Sequence, residues 1–184
     1  MLNNILEKIK EIKKDSIIIA IDGRCGGGKT TLATQLAKML DCNVIHMDDF
    51  FLRPEQRTEE RINTPGENVD HERFLDEVLI PLCENKPFAY RPFSCKNQAL
   101  GDSVNVEPKP VTIVEGSYSC HPDLWDYYDL RIFVDIHPDV QMQRIINRNG
   151  TEAAQMFKNR WIPLEEMYFN AYNIKDKCDI SVKL

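Results

Sequence analysis

The densest chemistry in the chain lies between Gly23 and Thr31. Gly23, Arg24, Cys25, Gly26, Gly27, Gly28, Lys29 and Thr30 fit the pattern G-x-x-x-x-G-K-[ST], and Thr31 follows directly. Glycines let successive backbone N–H groups curl around a phosphate, and a helix N-terminus behind them favours negative charge. In such a loop the lysine, Lys29, reaches the β- and γ-phosphates and the hydroxyl of Thr30 is offered to Mg²⁺. A glycine turn that merely joins strand to helix would match the same pattern. The context here favours the phosphate, because the β-branched run Ile17-Ile18-Ile19-Ala20-Ile21 precedes the loop and a helical stretch from Thr31 to Leu40 follows it. The stretch predicts binding of a nucleoside triphosphate.

The other candidates are carboxylates and guanidinium groups. Asp48 and Asp49 follow one apolar segment, 43–47, and Glu115 follows another, 110–114. Ligands of parallel α/β sheets bind beyond the carboxyl ends of the strands, so these acids are expected to face the loop. Mg²⁺ needs oxygen ligands near Thr30, for which Glu115 and Asp48 qualify, and a hydroxyl acceptor needs a carboxylate to take its proton. A solvated helix cap is the plain alternative for the acids. Arg144 and Arg148, four residues apart, share one helix face, and Lys158 and Arg160 lie beyond Asn149-Gly150-Thr151. Guanidinium groups suit charge spread over phosphoryl oxygens, and a lid over about residues 149–162 would bring them in and shut out water. Surface ion pairing is the alternative for each arginine. Cys25, at a helix N-terminus, is either a thiol of lowered pKa or a passive loop residue. The four histidines lack metal-ligand spacing and read as structural or substrate-edge residues.

Strand and helix alternate along the chain. An amphipathic helix in 1–14 is followed by strand 17–21, helix 29–40, strand 43–47 and a polar segment, 52–69, carrying Pro54, Pro65 and Gly66. Asp70 caps a helix over 71–83. Residues 88–93 and 103–106 read as edge strands around a turn at Leu100-Gly101-Asp102, demoted by their prolines. Strands at 110–114, 130–135 and 178–182, a helix over 138–149 and another from near Pro163 complete the pattern. The expected fold is α/β, a three-layer sandwich of about five mainly parallel strands with helices on both faces, forming one domain over 1–184.

Composition narrows the partners. A net charge of −6 and a pI near 5.3 argue against nucleic acid and anionic membrane. Six cysteines without CxxC or zinc-like spacing read as reduced thiols of a cytoplasmic protein, and the N-terminus reads as neither signal peptide nor membrane span. The partner is a small-molecule acceptor; oligomeric state stays open, a homo-oligomer included.

Taken together, the motifs resemble those of uridine kinase and related P-loop small-molecule kinases. Asp22 to Thr31, Asp48-Asp49-Phe50-Phe51, Asn68-Val69-Asp70-His71, Glu115-Gly116 and Arg144 to Arg148 occur in that family's order. The resemblance implies a P-loop NTPase fold and a phosphotransferase acting on an alcohol group, with ATP and Mg²⁺ as cofactors. It places the general base on Asp48, a magnesium ligand on Glu115, the grip on the ribose hydroxyls on Asp70, and His71 and Tyr90 on the acceptor side. Tyr90-Arg91-Pro92-Phe93 stands where uridine kinases carry a Tyr-Asp element, and the run from Asp48 to Glu55 also resembles nicotinamide riboside kinases. Arg53 and Arg91 suit an acidic or phosphorylated acceptor, or are loop arginines. A GTPase switch would need Asn-Lys-x-Asp, whereas Asn173-Ile174-Lys175-Asp176 has the wrong order. A silent nucleotide-binding module would be expected to lack Asp48 or Glu115.

Overall fold

A computed structural model describes residues 1–183. Its centre is a five-stranded sheet made of β1 (Ile17–Gly23), β2 (Cys42–His46), β3 (Val111–Glu115), β4 (Leu130–Asp135) and β5 (Ile180–Lys183). Every pairing is parallel and the order is β2-β3-β1-β4-β5. All seven residues of β1 are buried, as a central strand covered on both faces requires. Alternation splits its side chains between two cores. Ile17, Ile19 and Ile21 pack with Ile5 and Ile9 of α1 (Leu2–Glu11) and with Leu32, Ala33 and Leu36 of α2 (Lys29–Ala37). Ile18 and Ala20 join Phe50, Phe74, Val78, Tyr168 and Phe169 on the opposite face. Those last residues come from the segment after β2, from helix α3 (71–83) and, beyond α4 (Pro138–Met156), from α5 (Ile162–Tyr172).

Register sets the site. Ile21 lies opposite Glu115, and His46 lies opposite the same Glu115, so β1, β2 and β3 end in one row from which the glycine loop, Glu115 and Asp48 depart. Asp22, fully buried, ties that row to the layer above. Its carboxylate accepts from the N–H groups of Gly23 (2.6 Å), Tyr118 (3.2 Å) and Cys120 (2.9 Å) and from the hydroxyl of Tyr168 on α5 (2.8 Å).

Three local departures from the expected elements have physical causes. The 88–106 region forms two short antiparallel ladders, Phe88–Tyr90 with Val104–Val106 and Phe93–Ser94 with Ala99–Leu100, because Pro92 interrupts what would otherwise be one strand. Helix α3 widens into a π turn at Leu75–Leu79, just before Pro81, and the N–H of Ile80 reaches back five residues to Leu75. The same device at Phe157–Trp161, with Ile162 N–H bonded to the Phe157 carbonyl, precedes Pro163. A proline ring clashes with the carbonyl four residues earlier, and a widened turn relieves that clash. Residues 138–172 therefore stay helical where a new helix starting near Pro163 was expected; the break falls at Gly150, with φ 83° and ψ 165°. Among the described residues no helix is long and apolar enough to cross a membrane.

Candidate active site

The glycine loop is built on positions that exclude side chains. Gly23 has φ 130°, and a Cβ there would lie 2.1 Å from the Val134 carbonyl oxygen; Gly28, at φ 102°, caps α2. Lys29 is buried and donates to the carbonyls of Gly23 (2.6 Å) and Arg24 (3.2 Å) and to Ser117 Oγ (3.3 Å). Thr30 Oγ1 donates to Glu115 Oε1 at 3.1 Å, and His46 Nδ1 lies 2.6 Å from the same oxygen. That hydrogen bond to Glu115 raises the His46 pKa. Thr30 and Glu115 together present hard oxygen donors, the ligand chemistry of Mg²⁺.

The Asp48 carboxylate makes no hydrogen bond among the described residues. It is open to the cleft yet surrounded by protein, because Gly116 lets the backbone approach until a Cβ there would sit 3.3 Å from Asp48 Oδ1. This crowding raises the Asp48 pKa; the charge of Lys29 opposes the rise and that of Glu115 adds to it. Asp49 is engaged elsewhere, accepting from the Tyr90 hydroxyl at 3.2 Å.

These groups line a cleft of about 1170 Å³, in which Cys25 to Thr31, Asp48 and Glu115 are joined by Arg144, Arg148, Phe157, Arg160 and Trp161 from the helical arm. Arg144 Nη1 lies on the loop, 3.3 Å from the Gly26 carbonyl oxygen, Arg148 bonds Asn149 at 2.7 Å, and Arg160 stacks on Trp161. The segment 51–68 and the hairpin supply Phe51, Leu52, Arg57, Ile62, Asn68, Cys95 and Gln98.

Several expected residues sit elsewhere. The Arg24 side chain is outside the cleft lining, held by Asp135 (2.9 Å) and Glu166, so only its backbone belongs to the loop. The Cys25 thiol is pushed up to about 12, by burial and by the neighbouring Glu165 carboxylate, which fits the passive loop residue of the two alternatives and not the thiol of lowered pKa. Asp70 is buried; it caps α3 through the Arg73 N–H (3.3 Å) and accepts from Gln56 (2.8 Å), with Arg53 3.8 Å away. His71 stacks on His121 at 3.9 Å and bonds Glu67 at 3.1 Å. Asp70, His71, Tyr90 and Arg53 are all outside the cleft lining.

Sequence reasoning missed two groups that touch the phosphate loop, Ser117 and Glu165, and read His46, which contacts Glu115, only as a structural or substrate-edge residue. Glu165, on α5, accepts the Cys25 N–H at 3.0 Å and the Ser117 hydroxyl at 2.6 Å. His46 and Ser117 were findable, since each lies two residues from a marked acid. Glu165 had no local signal. The triad Glu67, His71 and His121 brings three ligand-type atoms within 4.8 Å, against the expectation from spacing. Its rings are stacked at 15°, so their lone pairs run parallel instead of converging, and His121 Nδ1 already accepts the Asp123 N–H at 3.2 Å. That tautomer leaves a proton on Nε2, which has no hydrogen-bond partner among the described residues and lies 3.7 Å from Glu67, so of the two rings only His71 bonds that carboxylate.

A glycine loop with its lysine and threonine, acids at the adjoining strand ends and an arginine-bearing arm, all on a parallel sheet, define a P-loop kinase, a phosphotransferase with an alcohol group as acceptor. The model of the phosphoribulokinase/uridine kinase family matches residues 18–155, and the chain belongs to that family. It is 28% identical over 154 residues to a uridine kinase of Oceanobacillus iheyensis, an alignment covering 78% of this chain and 72% of the relative. A Clostridium perfringens uridine kinase is 31% identical over 158 residues, 79% of this chain and 74% of the other. The fold matches a solved structure of a possible uridine kinase from Bacillus stearothermophilus with TM-score 0.72 at 19% identity, covering 98% of this chain and 96% of that one. ATP with Mg²⁺ is the phosphate donor in this family, and the oxygen donors of Thr30 and Glu115 fit the ion.

Proposed function

We propose that the chain moves the γ-phosphate of ATP to a hydroxyl of a ribonucleoside, as uridine kinases do. The observation that carries the proposal is Asp48, a carboxylate with no hydrogen-bond partner among the described residues, in the same cleft as Lys29 and the Thr30–Glu115 pair. Lys29 and the amides of the loop from Gly23 to Thr31 hold the phosphates, and Thr30, Glu115 and Asp48 are the oxygen ligands assigned to the metal. Bound Mg²⁺ neutralises charge on the phosphate oxygens. Asp48 takes the proton of the acceptor hydroxyl as that oxygen attacks the γ-phosphorus and ADP leaves. Arg144 and Arg148 stabilise the equatorial oxygens, and Arg160 closes with the arm over 149–162. Asp70, His71, Tyr90 and Arg53 serve the acceptor side from behind the cleft, ordering the segment that lines it.

A second reading is a nicotinamide riboside-type or a non-nucleoside acceptor, and one observation favours its non-nucleoside branch. The Asp70 carboxylate already serves the helix cap and Gln56 and has to leave a partner before it can hold a ribose. ADP release from Mg-ATP, measured with uridine, cytidine, nicotinamide riboside, pantothenate and simple sugars, separates the readings. Stimulation by a pyrimidine ribonucleoside is the expected result. Binding of ATP with no stimulation by any of them would leave either a non-nucleoside acceptor outside the panel or a silent nucleotide-binding module, with the latter moved ahead.

A further inference from the structure

The arginines divide into two groups that differ in their partners. Of the ten, Arg24, Arg53, Arg61, Arg73 and Arg131 are paired with carboxylates. Arg91 donates to the carbonyls of Leu100 and Gly101. The four that line the cleft, Arg57, Arg144, Arg148 and Arg160, have no carboxylate partner among the described residues. Arg144 and Arg148 come from the arm beside the phosphate loop, where a triphosphate accounts for them. Arg57 belongs to the other side, on the segment that also brings Phe51, Leu52 and Asn68 to the cleft.

Arg57 is held ready for a ligand. Its Nε donates to the Leu52 carbonyl at 2.9 Å and its guanidinium lies 5.7 Å from the Phe93 ring centre, so its position is fixed while both Nη groups remain available. An available Nη pair is the fork that grips a carboxylate or phosphate through two parallel hydrogen bonds. Asn68 supplies the independent observation. It is 8% exposed, lines the same cleft, and its Nδ2 is buried with no hydrogen-bond partner. A buried amide donor without an acceptor is unfavourable, and a ligand oxygen would satisfy it. Closing the cleft over a neutral acceptor would strand the Arg57 charge away from water, whereas an anionic acceptor pairs it.

Resting on the kinase reading above, we propose that the acceptor carries an anionic group, a carboxylate or a phosphate, bound by Arg57 with Asn68 donating beside it. On the ribonucleoside reading the acceptor is then an acidic nucleoside, on the second reading a hydroxy acid or a sugar phosphate, and on either a neutral acceptor such as uridine is turned over, but less efficiently than its anionic counterpart.

The test compares matched pairs in the Mg-ATP assay of ADP release: uridine with 6-carboxyuridine, nicotinamide riboside with nicotinic acid riboside, glycerol with glycerate, and ribose with ribose 5-phosphate. The anionic member of at least one pair is expected to have a kcat/KM about 100-fold above its neutral partner, and which pair responds separates carboxylate from phosphate. Arg57→Gln should collapse that ratio to within about threefold, and Arg57→Lys, which keeps the charge without the fork, should restore part of it. Asn68→Ala should raise KM for the anionic member more than it lowers kcat. Neutral members that turn over as well as anionic ones would overturn the proposal while leaving the kinase standing, as would a preference that survives Arg57→Gln. Silence of every pair would count against the kinase reading itself.

Discussion

Asp48 is set apart from the other acids by what does not touch it. Asp49 accepts from Tyr90, Glu115 from Thr30 and His46, Asp70 from Gln56, and Asp22 from four donors, whereas Asp48 keeps both oxygens for a ligand. Its raised pKa has a direct kinetic consequence. A base must be ionised to accept a proton, so kcat/KM should fall with decreasing pH through a limb lying above the usual carboxylate range. His46 is titratable nearby and its pKa is also raised, which makes His46→Asn the control. The limb should persist in that variant; a limb at ordinary carboxylate pH, or one that disappears with His46, contradicts the assignment. Lys29, Thr30, Asp48 and Glu115 were legible in the sequence because loop chemistry and strand ends fix them locally. Glu165 and Arg57 were not, since the partners that give them meaning arrive through tertiary packing, as Gln56 does against Asp70.

At the scale of elements, the arm from α4 to α5 joins the cleft to the core. Gly150 breaks it with a φ of 83° and nothing within 4 Å of where a Cβ would stand, so a substitution there acts through backbone conformation alone. Gly150→Ala should cost about 1–3 kcal/mol, seen as a lower melting temperature, and should reduce turnover by reorienting Arg160. An unchanged melting temperature would show that the break relaxes freely. At the far end, α5 reaches the strand row through Tyr168 and Asp22, and Tyr168→Phe removes one of four donors to a buried carboxylate. A loss of about 1–3 kcal/mol in urea unfolding is expected; a loss near zero would mean that the other three donors suffice. Periodicity predicted α4 as far as the break at Gly150 and α5 from near Pro163, but not the helical run between them. It did not predict the π turns, whose cause, a proline two residues on, reads in sequence as a helix end.

Across the whole molecule, two cores clamp one sheet, and the segment from Phe51 to His71 folds over its carboxyl edge. The clamp on that segment includes the stacked pair of His71 and His121, with Glu67, Glu72, Asp123 and Arg61 around it. Burial, reinforced by His71, lowers the His121 pKa from 6.5 to about 4. Between those values the unfolded chain binds more protons than the folded one, so stability should be full above pH 6.5 and decline as pH falls toward 4. Urea midpoints across that window should show a shallower slope in His121→Gln; equal slopes would remove His121 from the account. The parallel sheet and the order of its strands along the chain were legible from alternating buried runs and helices. The spatial order β2-β3-β1-β4-β5 was not, because nothing in the runs themselves says which strands are neighbours.

The central claim is that Asp48 is the base of a phosphotransferase. Its most direct test is Asp48→Asn, with ATP affinity and phosphoryl transfer to the best acceptor measured on the same preparation. ATP should bind within about threefold of the unaltered protein while kcat falls by about 10²- to 10⁴-fold. Transfer at an unchanged rate would contradict the claim.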